Sequence, residues 1–408
     1  MTKLLLSAFG IILFISTSQA QVWTQKANFP GHARVNPIVF EMGGKGYLYG
    51  GASNVLAQTS TVYKDLWEYN PVTDTWIQLA NSNSSGIVAG IGFSYNNEGY
   101  VGLGWDGSTN HSGIYKYSRT TNSWSFVTNY AGQGVRNSYF ALVGNLLYVA
   151  AGSDVISSST SIIRKDFWTY NLNTNQWIQL SDLPFGKRSS GISFSHGINL
   201  YFGFGTDGTT GNNKKDLWQY NTQTAVWTQI IGFPGVPRIH PTISKVYNKV
   251  IIGGGHQFGV GQELLDYYEL DLNTMTWKSI TSFTNGQRSL SKSIDINNKA
   301  YILCGNNVQN SALKDVWELS YSSVGLETIE NIEFKIYPQP VSNQLFIESG
   351  TDVELLVQMY DLNGRVVIQK KIDNQFNMLD VTAIKSGMYH LKIISNQKSI
   401  SKKIIISH

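Results

Sequence analysis

Arginine recurs in this sequence at a nearly constant position, 16 or 17 residues before a glycine that ends a short apolar run. A guanidinium group is planar, keeps its charge and donates paired hydrogen bonds to carboxylates and sulfates. A ring of such groups would suit a carboxylated sugar or a sulfated glycan. The five arginines with this spacing are Arg34, Arg136, Arg188, Arg238 and Arg288.

Aspartate recurs with the same period, which offers a structural explanation for the arginines. The copy of the pattern that lacks the arginine also lacks the aspartate and has Gly113 in its place. Because an unpaired, partly buried guanidinium costs several kcal/mol, we favour ion pairing within each copy. Ligand contact stays open as the alternative, since an arginine at the edge of a site can serve both purposes. The aspartates, each two residues before an aromatic position, are Asp65, Asp166, Asp216, Asp266 and Asp315.

Less repetitive residues lie near the same glycines and arginines, as a specific binding site requires. Trp105 would stack on a sugar ring, and Asp106 would accept hydrogen bonds from its hydroxyl groups. Ordinary loop polarity is the alternative explanation for the set. Its members are Trp105, Asp106, Asp154, Asp207, His240, His256 and Glu263.

Sequence patterns typical of catalysis and of metal binding are missing. There is no Ser-His-Asp arrangement, phosphate-binding glycine loop or His-Glu-x-x-His motif, and the seven histidines show no recurrent ligand spacing. The single cysteine, Cys304, lies in the apolar run YILCG, where we expect a buried and unreactive thiol. We therefore predict neither a metal nor a cofactor.

The candidate residues lie on a module that repeats about every 50 residues. The stretch KDLWEYNPVTDTW (64–76) has relatives at 112–124, 165–177, 215–227 and 265–277, and a shortened copy, KDVWELSY, at 314–321. An apolar run ending in glycine, such as YLYGG (47–51), precedes each copy. Each repeat is therefore predicted to form four short antiparallel strands, a to d, with the glycine closing strand b and the aromatic residues on strands c and d.

This module resembles the kelch repeat over residues 21–322, in strand order, glycine position and aromatic spacing. The resemblance implies an all-β fold, a six-bladed β-propeller that binds ligands on the face formed by its d–a and b–c loops. The sixth copy lacks its last strand, but VWTQKANFPGHAR (22–34) matches residues 226–238 and supplies Trp23. We expect this first strand to pair with the strand of Trp317 and close the ring, which removes two exposed sheet edges.

Kelch-type sialic acid epimerases suggest an alternative function. That resemblance implies a carboxylate base and an arginine near the centre of the propeller. Glu263 with Arg238 or Arg288 matches the requirement, although no longer motif supports it.

Residues 334–408 form a second β-rich unit after a linker at 323–333, and we expect a small immunoglobulin-like β-sandwich. Asn363-Gly364 between two alternating apolar runs predicts a hairpin. The unit resembles the C-terminal sorting domain of type IX secretion cargo of Bacteroidetes, with Gln339 in place of the usual asparagine. The resemblance implies export by the type IX secretion machinery. Its motifs are YPQP (337–340), MYDLNGRVV (359–367), SGMYHLKI (386–393) and KKIII (402–406).

Residues 1–20 show the charged start, apolar centre and small-residue end of a secretory signal peptide. The net charge of +4 is spread without blocks of like charge, so nothing points to a nucleic-acid or membrane-surface partner. We therefore predict a secreted or outer-surface monomer that binds a glycan or protein without catalysis. An enzyme acting on acidic sugars is the alternative.

Overall fold

A computed structural model of the chain describes residues 20–54, 60–157, 160–209, 212–230, 232–257, 261–283, 285–322, 335–348, 355–361, 364–372, 376–395 and 398–408. These residues belong to two compact units, one spanning Ser18–Ser322 and the other containing Ser323–His408. The predicted signal peptide, apart from its last residue, and the predicted linker at 323–333 lie outside the described residues. No helix in the described part of the chain is long and apolar enough to cross a membrane.

The first unit is built from strands that form six four-stranded antiparallel sheets. The first strand of the chain is β1 (Ala20–Lys26). The first two repeats contribute β2 (Ile38–Met42), β3 (Lys45–Tyr49), β4 (Leu66–Asn70), β5 (Thr75–Gln78), β6 (Ile91–Tyr95), β7 (Glu98–Gly102), β8 (Gly113–Ser118) and β9 (Ser123–Asn129). The next two contribute β10 (Tyr139–Val143), β11 (Leu146–Ala150), β12 (Ser153–Ser157), β13 (Thr160–Ile163), β14 (Phe167–Asn171), β15 (Gln176–Leu180), β16 (Ile192–His196), β17 (Asn199–Gly203), β18 (Leu217–Asn221) and β19 (Val226–Gln229). The last two contribute β20 (Thr242–Val246), β21 (Lys249–Gly253), β22 (His256–Gln257), β23 (Gln262–Glu263), β24 (Tyr267–Asp271), β25 (Thr276–Ile280), β26 (Arg288–Ser289), β27 (Lys292–Ile296), β28 (Lys299–Leu303), β29 (Asn306–Asn307) and β30 (Val316–Ser322).

Local sequence explains why each repeat folds as two successive hairpins. Buried and half-buried side chains alternate along the first strand of a repeat, as in β2, so one face of the strand packs against a neighbouring sheet. The turn after β4 is held by Asn70, whose side-chain oxygen accepts the N–H of Val72 at 3.1 Å. Strand order follows chain order in the first five sheets, whereas the sixth has the order β1-β30-β28-β27. The first strand of the chain thus completes the last sheet, with Gln25 opposite Trp317.

Six glycines join consecutive repeats into a closed circle. Each donates its N–H to a carbonyl of the following repeat, and the sixth glycine donates to the first repeat. All six have a positive φ, between 82° and 104°, which an L residue with a side chain rarely adopts. A Cβ atom on Gly205 would also lie only 2.2 Å from the carbonyl oxygen of Ser189. The donor and acceptor pairs, 2.8–3.0 Å apart, are Gly51 with Ile87, Gly104 with Val135, Gly152 with Arg188, Gly205 with Arg238, Gly255 with Arg288, and Gly305 with Arg34.

Apolar clusters fill the spaces between neighbouring sheets. The cluster between the sixth and first sheets contains Leu48, Tyr69, Ile294 and Val316, so the circle is closed by core packing as well as by hydrogen bonds. Cys304 belongs to this cluster with no exposed surface, and burial raises the pKa of its thiol to about 12. The predicted buried cysteine is confirmed, and its thiol stays protonated at neutral pH.

The second unit contains two sheets that share one apolar core. A three-stranded sheet has the order β31-β32-β35, and a four-stranded sheet has the order β34-β33-β36-β37. Gly364, with φ of 79°, lies in the turn between the antiparallel β33 and β34, while Asn363 is outside the described residues. The immunoglobulin-like topology stays a prediction. The strands are β31 (Lys335–Tyr337), β32 (Gln344–Glu348), β33 (Leu355–Tyr360), β34 (Val366–Ile372), β35 (Phe376–Asp380), β36 (Gly387–Ser395) and β37 (Lys398–Ile406).

Candidate functional site

The d–a and b–c loops of each repeat meet on one face, where they are joined by short antiparallel bridges. Each repeat contributes three bridged positions, one from its d–a loop and two from its b–c loop, and directly opposed residues present their side chains on the same side. We call these eighteen residues the bridge layer. By repeat they are Val35, Ala52 and Val62; Val88, Trp105 and Asn110; Arg136, Ser153 and Ile163; Ser189, Thr206 and Asn213; Ile239, His256 and Glu263; and Ser289, Asn306 and Ala312.

The bridge layer does not repeat in its chemistry, although its backbone does. The first repeat contributes only apolar side chains, whereas polar groups predominate in the fourth and sixth repeats. The layer contains one guanidinium, on Arg136, one carboxylate, on Glu263, and one imidazole, on His256. Such variation on a constant backbone is what a specific binding surface needs.

Four of the five predicted arginines are ion-paired with an aspartate. Arg34 donates to both carboxylate oxygens of Asp65, at 2.7 and 2.9 Å, and to the backbone oxygens of His32 and Gly50. Its guanidinium carbon also lies 4.5 Å from the centre of the Phe29 ring. The same pairing recurs in three other repeats, which confirms the structural interpretation for these four arginines. The recurring pairs are Arg188 with Asp216 at 2.9 Å, Arg238 with Asp266 at 2.8 Å, and Arg288 with Asp315 at 2.7 Å.

Arg136 does not belong to this series, so the prediction that it pairs with Asp166 is wrong. The glycine circle assigns the arginine position of the third repeat to Val135, whose carbonyl accepts the N–H of Gly104. Arg136 is one residue later and its side chain therefore turns into the bridge layer, opposite Ser153. The spacing of 16 residues, against 17 in the other four repeats, records this shift.

Asp166, the aspartate of the third repeat, accepts hydrogen bonds from side chains other than Arg136. Tyr130 and Trp168 donate to Asp166 Oδ2, at 3.3 and 2.8 Å. Among the described residues, Arg136 makes no salt bridge and its Nε has no hydrogen-bond partner, while burial lowers the pKa of its guanidinium. Its guanidinium carbon lies 6.0 Å from the centre of the Trp105 ring. Arg136 is thus a cation without a carboxylate partner among the described residues, and it lies beside the Trp105 ring.

His240 lies within electrostatic range of Arg136 and of His256, which in turn contacts Glu263. Burial lowers the pKa of His240 to about 3, and the positive charges of Lys292, His256 and Arg136 add to this effect, so the imidazole is neutral at physiological pH. His256 Nδ1 lies 3.3 Å from Glu263 Oε1. Of the predicted site residues, the structure therefore links His240 electrostatically to both Arg136 and His256, and Glu263 to His256 by direct contact.

Glu263 is the carboxylate of this group and is 9% exposed. Burial raises its pKa above the ordinary value, although Ser289, His256 and Asn306 act in the opposite direction. Its Oε2 is buried and has no hydrogen-bond partner among the described residues. A buried carboxylate with a raised pKa is suited to accepting and returning a proton.

Lys292 is a functional candidate that sequence reasoning missed. Burial lowers the pKa of its ammonium group to about 8, and the lysine makes no salt bridge within the described ranges. It begins β27, at a position where the other repeats have no charged residue. A charged residue at a position that is uncharged in the other repeats is the sequence signal that could have identified Lys292. The equivalent residues are Ile38, Ile91, Tyr139, Ile192 and Thr242.

The roles predicted for Trp105 and Asp106 need correction. Trp105 is only 7% exposed, because its ring packs against Val88 and Ala89, so it cannot offer a face to a sugar. Oδ1 of Asp106 accepts the N–H groups of Ser108 and Thr109, both at 2.8 Å, and thereby holds a turn.

Asp154 and Asp207 also have protein partners. Asp154 accepts hydrogen bonds from Asn110 at 2.8 Å and from Arg164 at 2.5 Å. Asp207 lies 3.0 Å from Lys214, in a cleft of about 550 Å³ on the loop face of the fourth repeat that Lys187 and Arg188 also line. Both aspartates lie on the predicted face, outside the group around Arg136. Across the described residues, no three His, Cys, Asp or Glu side chains are arranged to hold a metal ion.

Comparisons with known proteins agree with this geometry. Residues 140–184 match the kelch motif, and residues 335–407 match the secretion system C-terminal sorting domain. The solved structure entitled "Structure of YjhT" superposes with a TM-score of 0.59 at 12% identity, covering 73% of this chain and 99% of that one, which shows the fold alone. The chain is a kelch β-propeller with a secretion sorting domain. The sorting domain indicates export by the type IX system to the cell surface or beyond.

Curated relatives of the chain include N-acetylneuraminate epimerases. An N-acetylneuraminate epimerase of Haemophilus influenzae (strain 86-028NP) is 24% identical over 44% of this chain and 59% of its own length. One from Yersinia pestis (strain Pestoides F) is 26% identical over 42% of this chain and 40% of its own length. The matched segments therefore cover about half of these relatives.

We predict that Asp65→Asn destabilises the propeller by about 3 kcal/mol at pH 7, since it leaves a buried guanidinium without its counter-charge. Burial raises the pKa of Asp65, but hydrogen bonds from Arg34 and Trp67 outweigh it, so the folded-state pKa is below the ordinary value. The stabilisation is therefore complete above about pH 4 and is lost as the pH falls below it. Urea unfolding from pH 7 to pH 3 measures both effects.

Asp166→Asn is the matched control, since this aspartate has no arginine partner. It should cost less than about 1 kcal/mol. Equal losses for Asp65→Asn and Asp166→Asn would contradict the assignment of the ion pairs.

Proposed function

We propose that the protein is an exported binding module whose propeller holds a carboxylated glycan unit at the bridge layer. The observation that carries this proposal is Arg136, a guanidinium directed into the layer without a carboxylate partner among the described residues. In this proposal the ligand binds at the repeat that lacks the arginine–aspartate pair, because aspartates already neutralise the other four arginines. A protein carboxylate on a partner is the other ligand of the same chemistry.

Electrostatics support an anion at this position. Arg136, Lys292 and His240 lie close together, and neither cation has an ion pair within the described residues. A ligand carboxylate would supply the missing charge and could accept two hydrogen bonds from the guanidinium group. The name of the curated relatives also points to a carboxylated sugar.

The proposal includes the domain organisation predicted from the sequence. A signal peptide at 1–20 would deliver the chain to the first membrane, and the sorting domain at 334–408 would engage the type IX machinery of a Bacteroidetes-like bacterium. The six sheets of residues 21–322 would act as six blades of one propeller, joined by a linker at 323–333. The exported protein would be a monomer.

We predict that Arg136→Gln weakens binding of N-acetylneuraminate by about 10- to 100-fold, the loss expected for one charge-assisted hydrogen-bond pair. Isothermal titration calorimetry measures it. Lys187→Gln removes an exposed cation from the same face and serves as the control, with unchanged affinity expected. Equal affinity for Arg136→Gln and the unsubstituted protein would overturn the assignment of the site.

Catalysis on an acidic sugar is the second candidate function, because Glu263 combines burial, a raised pKa and a contact with His256 in the bridge layer. In this proposal the ionised carboxylate removes a proton from the bound sugar and the neutral acid returns it. His256 would steady the charged form through its contact with Oε1. The pairing with Arg238 or Arg288 expected from the sequence is replaced by Arg136, since those two arginines are occupied by aspartates.

If this second function holds, Glu263→Gln should abolish the interconversion of N-acetylneuraminate epimers while its affinity stays within about threefold. NMR spectroscopy follows the two epimers directly. The rate of the unsubstituted protein should rise with pH through the pKa of Glu263, since the base must be ionised. A lack of turnover by the unsubstituted protein would leave binding as the function.

A further inference from the structure

The aromatic residue on strand c is covered by another ring in five of the six repeats. That ring comes from the preceding loop, with ring centres 4.8–6.1 Å apart. The strand-c residue is thereby half-buried against that ring. The pairs are Phe29 with Trp67, Tyr130 with Trp168, Phe185 with Trp218, Phe233 with Tyr268, and Phe283 with Trp317.

The second repeat departs from this arrangement at several positions together. Ser82 occupies the loop position of the covering ring, since its N–H donates to Lys64 O as that of Phe29 donates to Lys314 O. Tyr115 is the strand-c aromatic, and Gly113 replaces the aspartate two residues before it. A Cβ atom at position 113 would lie 2.8 Å from the Tyr115 ring, so the ring occupies the space of the missing carboxylate.

Opposite Tyr115, strand d carries an aromatic side chain that no other repeat has. Phe126 faces Tyr115 across β8 and β9, next to a β-bulge that redirects the strand. The equivalent positions in the other repeats are polar. These are Gln78, Gln179, Gln229, Ser279 and Gln25.

Three rings therefore cluster on the second repeat, with Phe126 exposed and Tyr115 and His111 half-buried, and we call this cluster the platform. Tyr115 and Phe126 have ring centres 5.6 Å apart in an edge-to-face arrangement, and His111 lies 5.9 Å from Tyr115. Phe126 is 55% exposed, although burying a phenyl ring is worth about 2 kcal/mol. Ser112 and the exposed Asn129 stand beside the platform, with their side-chain oxygens 3.5 Å apart. The combination of partly exposed aromatic rings and adjacent hydroxyl and amide groups fits the mixed surface of a sugar.

We propose that His111, Tyr115 and Phe126 bind the apolar face of a neutral pyranose unit, as a second subsite of a glycan ligand. The subsite connects to the bridge layer through Asn110, which precedes His111 and whose buried Oδ1 has no hydrogen-bond partner among the described residues. A glycan with its acidic unit at Arg136 would thus extend outward along the second repeat. This extension rests on the proposed glycan-binding function, whereas stacking at the platform needs no acidic unit.

Phe126→Gln tests the platform without endangering the fold, because glutamine is the native residue at four equivalent positions. Ile178→Gln is the matched control, since Ile178 is 57% exposed on a neighbouring strand d. The probe is an array of neutral pyranose oligosaccharides. We expect Phe126→Gln to weaken the bound oligosaccharides by about tenfold, the loss of one aromatic contact, and Ile178→Gln to leave them unchanged.

A titration with the monosaccharide N-acetylneuraminate separates this proposal from the central site. The monosaccharide needs only the central site in this proposal, so Phe126→Gln should leave its Arg136-dependent binding intact. The platform proposal is overturned if no neutral oligosaccharide binds, or if Phe126→Gln and Ile178→Gln bind equally well. If Arg136→Gln loses monosaccharide binding and Phe126→Gln does not, the result supports the central site and leaves the platform to be decided by the oligosaccharide array.

Discussion

The circle of six hydrogen bonds from glycine N–H groups to the next repeat fixes every other part of the propeller. Each glycine has a positive φ, and in Gly104, Gly205, Gly255 and Gly305 a Cβ atom would also lie less than 3.0 Å from neighbouring backbone. The residue whose carbonyl accepts the bond is thereby placed at a defined angle, and in four repeats it is an arginine paired with an aspartate. The residue after it points into the bridge layer instead. The position that forms the ion pair and the position that faces the bridge layer are therefore consecutive residues.

That one-residue difference explains what the sequence could and could not reveal. The period, the strand order and the pairing of arginine with aspartate depend on local spacing. The sequence therefore predicts the period and strand order of every repeat, and the ion pair of four repeats. Arg136 looked like a fifth member because the two spacings differ by one residue, yet the shift turns its side chain toward a different environment. Trp105 looked exposed because it follows a loop glycine, but its ring packs against apolar residues that are distant in sequence. Lys292 was missed because it begins a strand with the mixed sequence KSIDI, where a lysine looks like an ordinary exposed charge.

Departures from the repeat are concentrated in consecutive parts of the ring. The second repeat has lost the ion pair and the covering ring, and the third has replaced the arginine by Val135 and redirected Arg136. Buried polar atoms without partners among the described residues also occur there, on Asn110 and Arg136. A regular ion pair stabilises its repeat but leaves no free charge, which is why we place the proposed ligand site where that pairing is missing. The four repeats with an arginine–aspartate pair thus share one regular arrangement, and the second and third repeats depart from it.

A crystal structure of the protein soaked with N-acetylneuraminate tests the central claim most directly. The account predicts a sugar carboxylate within hydrogen-bond distance of the Arg136 guanidinium, with the four arginine–aspartate pairs unchanged. A carboxylate bound instead to one of those four arginines, or in the cleft beside Lys187, would contradict it.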